Sequence, residues 1–218
     1  MPMKGKFIVL EGIDGSGKTT QLKLLGEKLK DRGLPVLHTR EPGGTRIGDK
    51  IREILLNPEY QELVPRAEAF LYAAARAQHV AQVILPALAK GTIVLCDRFL
   101  DSSLAYQGFG RGIEVSLLER INEPATDGLV PDLTIVLDFC TEDGMDRINL
   151  SGRRIDRIER ETGAFHQRVR MGYLALAGRS PARYRVINAN RPVEQVHRDI
   201  MMAAEGVIDE IPEGDSGA

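Results

Sequence analysis

A disulfide framework is not what this chain is built on: it has two cysteines in 218 residues, and Cys96 and Cys140 both fall within strand-like runs. Reduced core residues are expected there, with a single buried bridge left open. A charge of one sign is lacking too. Lys and Arg number 29 against 31 Asp and Glu, a formal net charge of −2 with the signs interspersed, so no global field recruits nucleic acid or an anionic membrane. No apolar run approaches the ~20 residues that a bilayer crossing requires. Met1–Lys6 leads straight into a strand and a glycine-rich loop, not into a signal peptide, and a cytoplasmic protein is expected. Internal repeats and linkers are missing as well. With 43% hydrophobic residues one core can be filled, and a single domain is expected over residues 1–210, followed by a frayed polar tail at 211–218. His38, His79, His166 and His197 have no metal-ligand spacing.

Against these absences stands one dense motif. Gly12-Ile13-Asp14-Gly15-Ser16-Gly17-Lys18-Thr19 spells G-x-x-x-x-G-K-[ST], directly after the apolar run Phe7–Leu10 and before a helix-like stretch from Thr19 to Lys30. Glycines at these positions let backbone N–H groups turn toward one anion, Lys18 adds a mobile positive charge, and the Thr19 hydroxyl can ligate Mg²⁺ beside the phosphates. A nucleoside triphosphate site follows.

Short β-branched runs alternate with longer amphipathic ones along the chain, the pattern of strands and crossover helices around a parallel sheet. Strands are expected at Lys6–Leu10, Pro35–Thr39, Thr92–Cys96, Leu133–Asp138 and Arg183–Asn188. Helices are expected at Lys18–Asp31, Arg46–Leu56, Pro65–Lys90, Asp101–Tyr106, Ser116–Asn122, Thr141–Leu150, Arg160–Ala177 and Val193–Asp209. The third strand run ends in Asp97-Arg98, which places an acid and a base beyond the carboxyl end of a strand, where ligands of open α/β sheets bind. Asp97 can hold Mg²⁺ through water, and Arg98 can face a phosphate. A structural ion pair at the strand end is the plain alternative.

Two further loops enlarge the same crevice. Arg40-Glu41-Pro42-Gly43-Gly44-Thr45-Arg46 combines close backbone approach with two arginines, and Asp101–Gly108 offers neutral polar groups and one aromatic, a mixture suited to a nucleoside. A Pro-Gly turn and a helix N-cap would account for the same residues without a ligand. Arg147 and the cluster Ser151–Arg160 read either as a solvated helix face with i,i+4 ion pairs or as a lid carrying arginines. The lid reading is favoured because Ile13–Ser16 contain no arginine, which leaves Lys18 as the loop's only answer to the charge of phosphoryl transfer. A P-loop ATPase or GTPase switch is the distant alternative, but no N/T-K-x-D guanine motif follows a later strand.

Phe7–Thr20 (FIVLEGIDGSGKTT), Thr39–Thr45 (TREPGGT), Ala73–Val80 (AAARAQHV), Asp97-Arg98, Ala105–Gly108 (AYQG) and Asp156–Glu159 (DRIE) stand in an order and at a spacing that resemble the bacterial thymidylate kinase family. The resemblance covers about Lys6 to Ala177. It implies a P-loop NTPase-type α/β three-layer sandwich, a five-stranded parallel sheet wrapped by helices with a short lid at about 147–160. It further implies a homodimer and the Mg²⁺- and ATP-dependent phosphorylation of dTMP to dTDP, in dTTP biosynthesis, by direct in-line transfer. Another nucleoside or nucleotide kinase of the same architecture is the nearer alternative.

The family's roles then fall on particular residues. ATP would lie on Gly12, Ile13, Asp14, Gly15, Ser16, Gly17, Lys18, Thr19 and Thr20, with Mg²⁺ on Thr19 and Asp97. Tyr72 occupies the position of the aromatic that stacks on thymine, where family members usually carry Phe, and Arg76 that of the donor to a thymine carbonyl. Ser103 and Gln107 would be further neighbours of dTMP, and Tyr106 the aromatic beside the sugar that crowds a ribose 2′-OH. Asp14 matches a carboxylate near the acceptor's sugar or its phosphate-bound metal, and Arg40 and Arg98 would hold the dTMP phosphate. Arg153 and Arg154 resemble the lid arginines of the subgroup whose P-loop lacks one, so that Lys18, Arg98, Arg153 and Arg154 form the catalytic set. The first half of the lid, SGRR, departs from the commoner alternation of arginines, and the roles of Asp156 and Glu159 stay open.

Overall fold

The computed structural model describes residues 5–141, 144, 147, 150, 152 and 155–208. Its centre is a sheet of five parallel strands: β1 (Phe7–Glu11), β2 (Val36–Arg40), β3 (Ile93–Asp97), β4 (Leu133–Asp138) and β5 (Tyr184–Asn188), in the order β2-β3-β1-β4-β5. Strands β1 and β3 are apolar at nearly every position because both faces are covered. Ile8 and Leu10 of β1, with Ile93 and Leu95 of β3, pack against Leu22, Leu25 and Leu29 of α1 (Lys18–Asp31). The alternate residues Phe7, Val9, Val94 and Cys96 pack with Val80, Ile84 and Leu88. Each strand thereby contributes to two cores, one on each side of the sheet.

The strand order reverses at β1: β2 and β3 lie to one side, β4 and β5 to the other. Register then lines up the carboxyl ends, with Leu10 opposite Asp97 and Arg40 also opposite Asp97. The glycine-rich loop after β1, the Arg40–Arg46 loop after β2 and Asp97-Arg98 after β3 therefore emerge side by side at the switch point of the sheet.

Helix α2 (Arg46–Leu56) starts at Thr45, whose Oγ1 accepts the Gly48 N–H at 2.9 Å. The expected helix over 65–90 is α3 (Pro65–His79) and α4 (Leu85–Ala89) joined by a wide π-helical turn at Val80–Ile84. That turn precedes Pro86, which has no N–H to give to a regular α ladder. A second wide turn, Leu104–Gly110, extends the short α5 (Leu100–Ser103) well past the expected end at Tyr106. Helix α6 (Val115–Thr126) runs through Pro124, beyond the expected end at Asn122, and stops where Asp127 turns left-handed at φ 50°. Thr141, Gly144, Arg147 and Leu150 are helical, while the other residues expected in that helix lie outside the described set. Helix α7 (Gly163–Arg179) is capped by Thr162, and α8 (Val193–Ile208) closes the described chain; the expected polar tail at 211–218 lies outside it. No described helix is long and apolar enough to cross a membrane. Neither cysteine is in a disulfide: Cys96 is buried, as a core residue should be, whereas Cys140 is only half-buried, because it follows the end of β4 and not its interior.

Replacing Thr45 by Ala removes the side-chain N-cap of α2. The unfolding free energy is expected to fall by ~1 kcal/mol, read as a lower denaturant midpoint with an unchanged slope.

Candidate active site

The loop between β1 and α1 is shaped by three left-handed glycines, Gly12 at φ 140°, Gly15 at 79° and Gly17 at 93°. A Cβ would lie 2.6 Å from the Leu137 carbonyl oxygen at Gly12 and 2.5 Å from that of Gly144 at Gly15, so neither position admits a side chain. Lys18 Nζ curls over the loop and donates to the carbonyls of Gly12 (3.1 Å) and Ile13 (2.8 Å). Burial and the nearby Arg98 draw the Lys18 pKa below the ordinary lysine value, against the pull of Asp97 and Asp14. One residue on, Thr19 Oγ1 donates to Asp97 Oδ2 at 2.9 Å, which brings the two oxygens expected to serve a metal to one spot.

Arg98 sits at the centre. Its backbone is left-handed at φ 71°, and its N–H donates to Leu10 O at 3.0 Å, which ties the end of β3 to β1. The guanidinium donates to Gly12 O (2.9 Å), Tyr173 OH (2.9 Å), Asp14 Oδ1 (2.6 Å) and Tyr106 OH (3.0 Å). Tyr106 OH in turn donates to Asp14 Oδ2 at 2.9 Å. Burial alone would raise the Asp14 pKa, but Arg98 and Lys18 outweigh it and hold the carboxyl well below the usual range.

Behind Arg98 lies a residue that sequence reasoning missed. Glu11, the last residue of β1, is fully buried and accepts from Phe99 N (2.8 Å), Ser102 N (3.2 Å), Ser102 Oγ (2.7 Å) and Tyr173 OH (3.0 Å). Burial, then the charge of Asp101, pushes its pKa up to about 7. The signal was an acid closing a wholly apolar strand, the same signal that marked Asp97.

Two cavities open on this centre. The larger is lined by Lys18, Thr19, Thr20, Arg40, Asp97 and Arg147 among others; the smaller by Tyr72, Arg76, Ser102, Tyr106, Gln107 and Ile158. Asp14, Glu41, Arg52, Arg98 and Asp156 line both. Tyr72, Arg76, Tyr106 and Gln107 thus meet in one chamber. Ser103 does not line it: its Oγ accepts from Arg76 at 3.1 Å, and Ser102 takes its place in the wall. The helical apolar stripe left Arg76 and His79 off the core face, yet both are fully buried. The physical reason is Glu41 in the loop after β2, which accepts from Arg76 Nε at 2.8 Å and meets His79 Nδ1 at 3.1 Å. Arg76 also donates to Asn122 Oδ1 and to Phe99 O, the latter at 2.9 Å. Four of its five N–H groups are thereby taken.

The charge cluster after Arg147 divides in two. Arg147 donates to Gly15 O at 3.1 Å and lies 4.1 Å from the Phe139 ring centroid, so it touches the glycine-rich loop directly. Arg153 and Arg154 lie outside the described residues. Arg157 is buried, bonded to Leu55 O at 2.9 Å and Glu68 at 2.5 Å, and is therefore fixed to α2 and α3. Asp156 Oδ1 accepts the N–H groups of Ile158 and Glu159 at 2.9 Å each, and Glu159 Oε2 accepts that of Asp156 at 3.0 Å. The two acids order this segment, and burial pushes the Asp156 pKa up to about 6.

A family model described as Thymidylate kinase matches residues 10–200. The chain is 66% identical over 216 residues to the thymidylate kinase of Pelotomaculum thermopropionicum, covering 99% of this chain and 100% of the relative. It is 49% identical over 205 residues to that of Carboxydothermus hydrogenoformans, covering 94% and 99%. The crystal structure of thymidylate kinase from Ehrlichia chaffeensis superposes with a TM-score of 0.75 at 35% identity, covering 92% of this chain and 98% of that one.

A carboxyl whose pKa is raised on folding stabilises the folded state below its unfolded pKa and loses that stabilisation as pH rises through the folded one. Wild-type protein is therefore expected to lose on the order of 2 kcal/mol relative to Glu11→Gln between about pH 4.5 and 7, with the direction set by the raised Glu11 pKa. Parallel denaturation curves across that window check it; identical pH profiles would sink the assignment.

Proposed function

The chain belongs to the thymidylate kinase family, and we propose that its two cavities seat ATP and dTMP head to head for direct phosphoryl transfer to give dTDP. One observation carries this: two cavities, one walled by phosphate-binding groups and one by an aromatic, an arginine and an amide, share the Arg98–Asp14 wall. On this reading the backbone of residues 12–20 cradles the ATP phosphates, and Lys18 leaves the carbonyls of Gly12 and Ile13 to bridge donor and acceptor. Thr19 and Asp97 suit Mg²⁺, whose few protein ligands are oxygens and whose remaining positions go to water and phosphate. Bound with ATP, that ion would neutralise phosphate charge.

Arg98 and Arg40 hold the dTMP phosphate. Asp14, kept anionic by Arg98, orients the guanidinium and faces the sugar. Tyr106, locked to Asp14 and Arg98 through its hydroxyl, cannot yield to a ribose 2′-OH, so selection of the deoxy sugar is steric. Tyr72 stacks on the base, Arg76 gives its remaining N–H to a carbonyl of thymine, and Gln107 completes the chamber; Ser103 acts through Arg76. No general base is needed, because a phosphomonoester with a second pKa of ~6 is already dianionic at neutral pH. Arg153 and Arg154 would bring further positive charge to the transferring group from a lid at about 147–160, with Arg147 already on the glycine-rich loop. We take residues 1–210 as one kinase domain of a cytoplasmic homodimer. Exposed Ile47 and Ile54, seven apart on α2, and exposed Phe70 on α3 offer apolar surface for the twin.

Lys18→Ala is expected to lower kcat by at least ~10³-fold while cooperative unfolding is kept. ADP formation by wild type should require dTMP and be far slower with dCMP, UMP or thymidine in a coupled assay. Near-normal turnover of the variant, or acceptor-independent hydrolysis by wild type, would overturn the proposal.

A further inference from the structure

Glu68 is a fully buried acid on α3 that the reaction described above does not use. Three side chains converge on it from three separate segments. Arg157, from the last residues of the 147–160 span, donates at 2.5 Å. Arg111, after the second wide turn, donates through Nε and one terminal nitrogen, both at 3.3 Å. Gln107, in the wall of the smaller cavity, donates its Nε2 at 2.9 Å. The other end of that amide is different: Gln107 Oε1 is buried and has no hydrogen-bond partner among the described residues. A buried amide oxygen without a donor costs free energy until something supplies one.

We propose that Glu68 is a positioning residue for base selection: by accepting the Gln107 N–H, it commits the amide to present an oxygen, not an N–H, to the acceptor base. This rests on the assignment of the smaller cavity to dTMP. A carboxylate facing two guanidinium groups is an acceptor only, so the end of Gln107 that meets it has to be nitrogen. The oxygen left over asks for a ring N–H. Thymine and uracil carry one at N3; cytosine has an acceptor there, and its exocyclic amine would also meet the remaining N–H of Arg76 donor to donor. Glu68 thus sets the hydrogen-bond polarity of the chamber without touching the ligand, and the two arginines hold it in place.

Glu68→Gln tests this with almost no change of volume. The two arginines claim the single new oxygen, and the new Nε2 then faces Gln107, which relieves the clash by turning its oxygen toward residue 68 and its N–H toward the base. The expected result is a KM for dTMP raised at least ~10-fold, the same rise for dUMP, a dTMP-over-dCMP preference reduced at least ~10-fold, and a KM for ATP within about twofold of wild type. In a Gln107→Leu background the Glu68→Gln change should no longer alter the dTMP-to-dCMP ratio, since Glu68 acts through Gln107. An unchanged ratio in the single variant, or the same change in both backgrounds, overturns the inference. If Glu68→Gln does not fold, the wild-type protein serves: NMR should find the Gln107 side-chain N–H already protected from exchange without ligand and not further protected by saturating dTMP. Protection that arises only with dTMP overturns it. Failure of wild type to phosphorylate dTMP at all would instead refute the functional proposal, so the two failures are told apart.

Discussion

The ion pair between Arg98 and Asp14 is the constraint on which the rest of the site depends. Each partner belongs to a different loop, one after β1 and one after β3, and neither loop has secondary structure of its own to hold it. A buried guanidinium costs several kcal/mol unless its N–H groups are met by good acceptors. Arg98 meets that condition through Asp14, Gly12, Tyr106 and Tyr173, and Glu11 anchors the backbone just beyond it by accepting the N–H groups of Phe99 and Ser102. The pair lies where two cavities meet, so the group that joins the loops also forms the wall between the chambers.

Buried charge recurs around the smaller cavity in a graded way. Glu41 holds Arg76 and His79, and Glu68 holds Gln107, Arg111 and Arg157. Such pairs contribute little net stability, since desolvation offsets most of the attraction, but they leave each polar group with few alternative partners. A cavity lined this way is preorganised: its donors and acceptors are oriented before a ligand arrives, and little ordering cost remains on binding.

The five strands and the glycine-rich loop could be read from the chain because each obeys a local rule. Period and composition marked Lys6–Leu10, Thr92–Cys96 and Leu133–Asp138 to within a residue of their ends. Asp97 and Thr19 could be paired because both sit at fixed offsets from local elements, one at a strand end and one at a helix start. Glu41, Glu68 and Asn122 could not. Their partners lie 35, 39 and 46 residues away in sequence, and nothing in the local pattern distinguishes a buried, paired acid from a solvated one. Arg76 shows the same limit from the other side: helical spacing placed it off the apolar stripe, but only Glu41, brought in by the β2 register, explains why it is inside. The wide turns at Val80–Ile84 and Leu104–Gly110 escaped too, since a π turn shifts the helical phase by one residue while leaving composition unchanged.

The shared wall between the cavities has a consequence for how this enzyme can change over generations. Asp14, Glu41, Arg52, Arg98 and Asp156 each face both chambers, so a replacement at any of them reshapes both at once. Tyr72 and Gln107 face the smaller chamber alone. On the proposed seating of the acceptor in the smaller chamber, drift toward a different base is open at the far end of the cleft and closed at its middle, so a lineage can remodel what it phosphorylates without altering the wall that both chambers share.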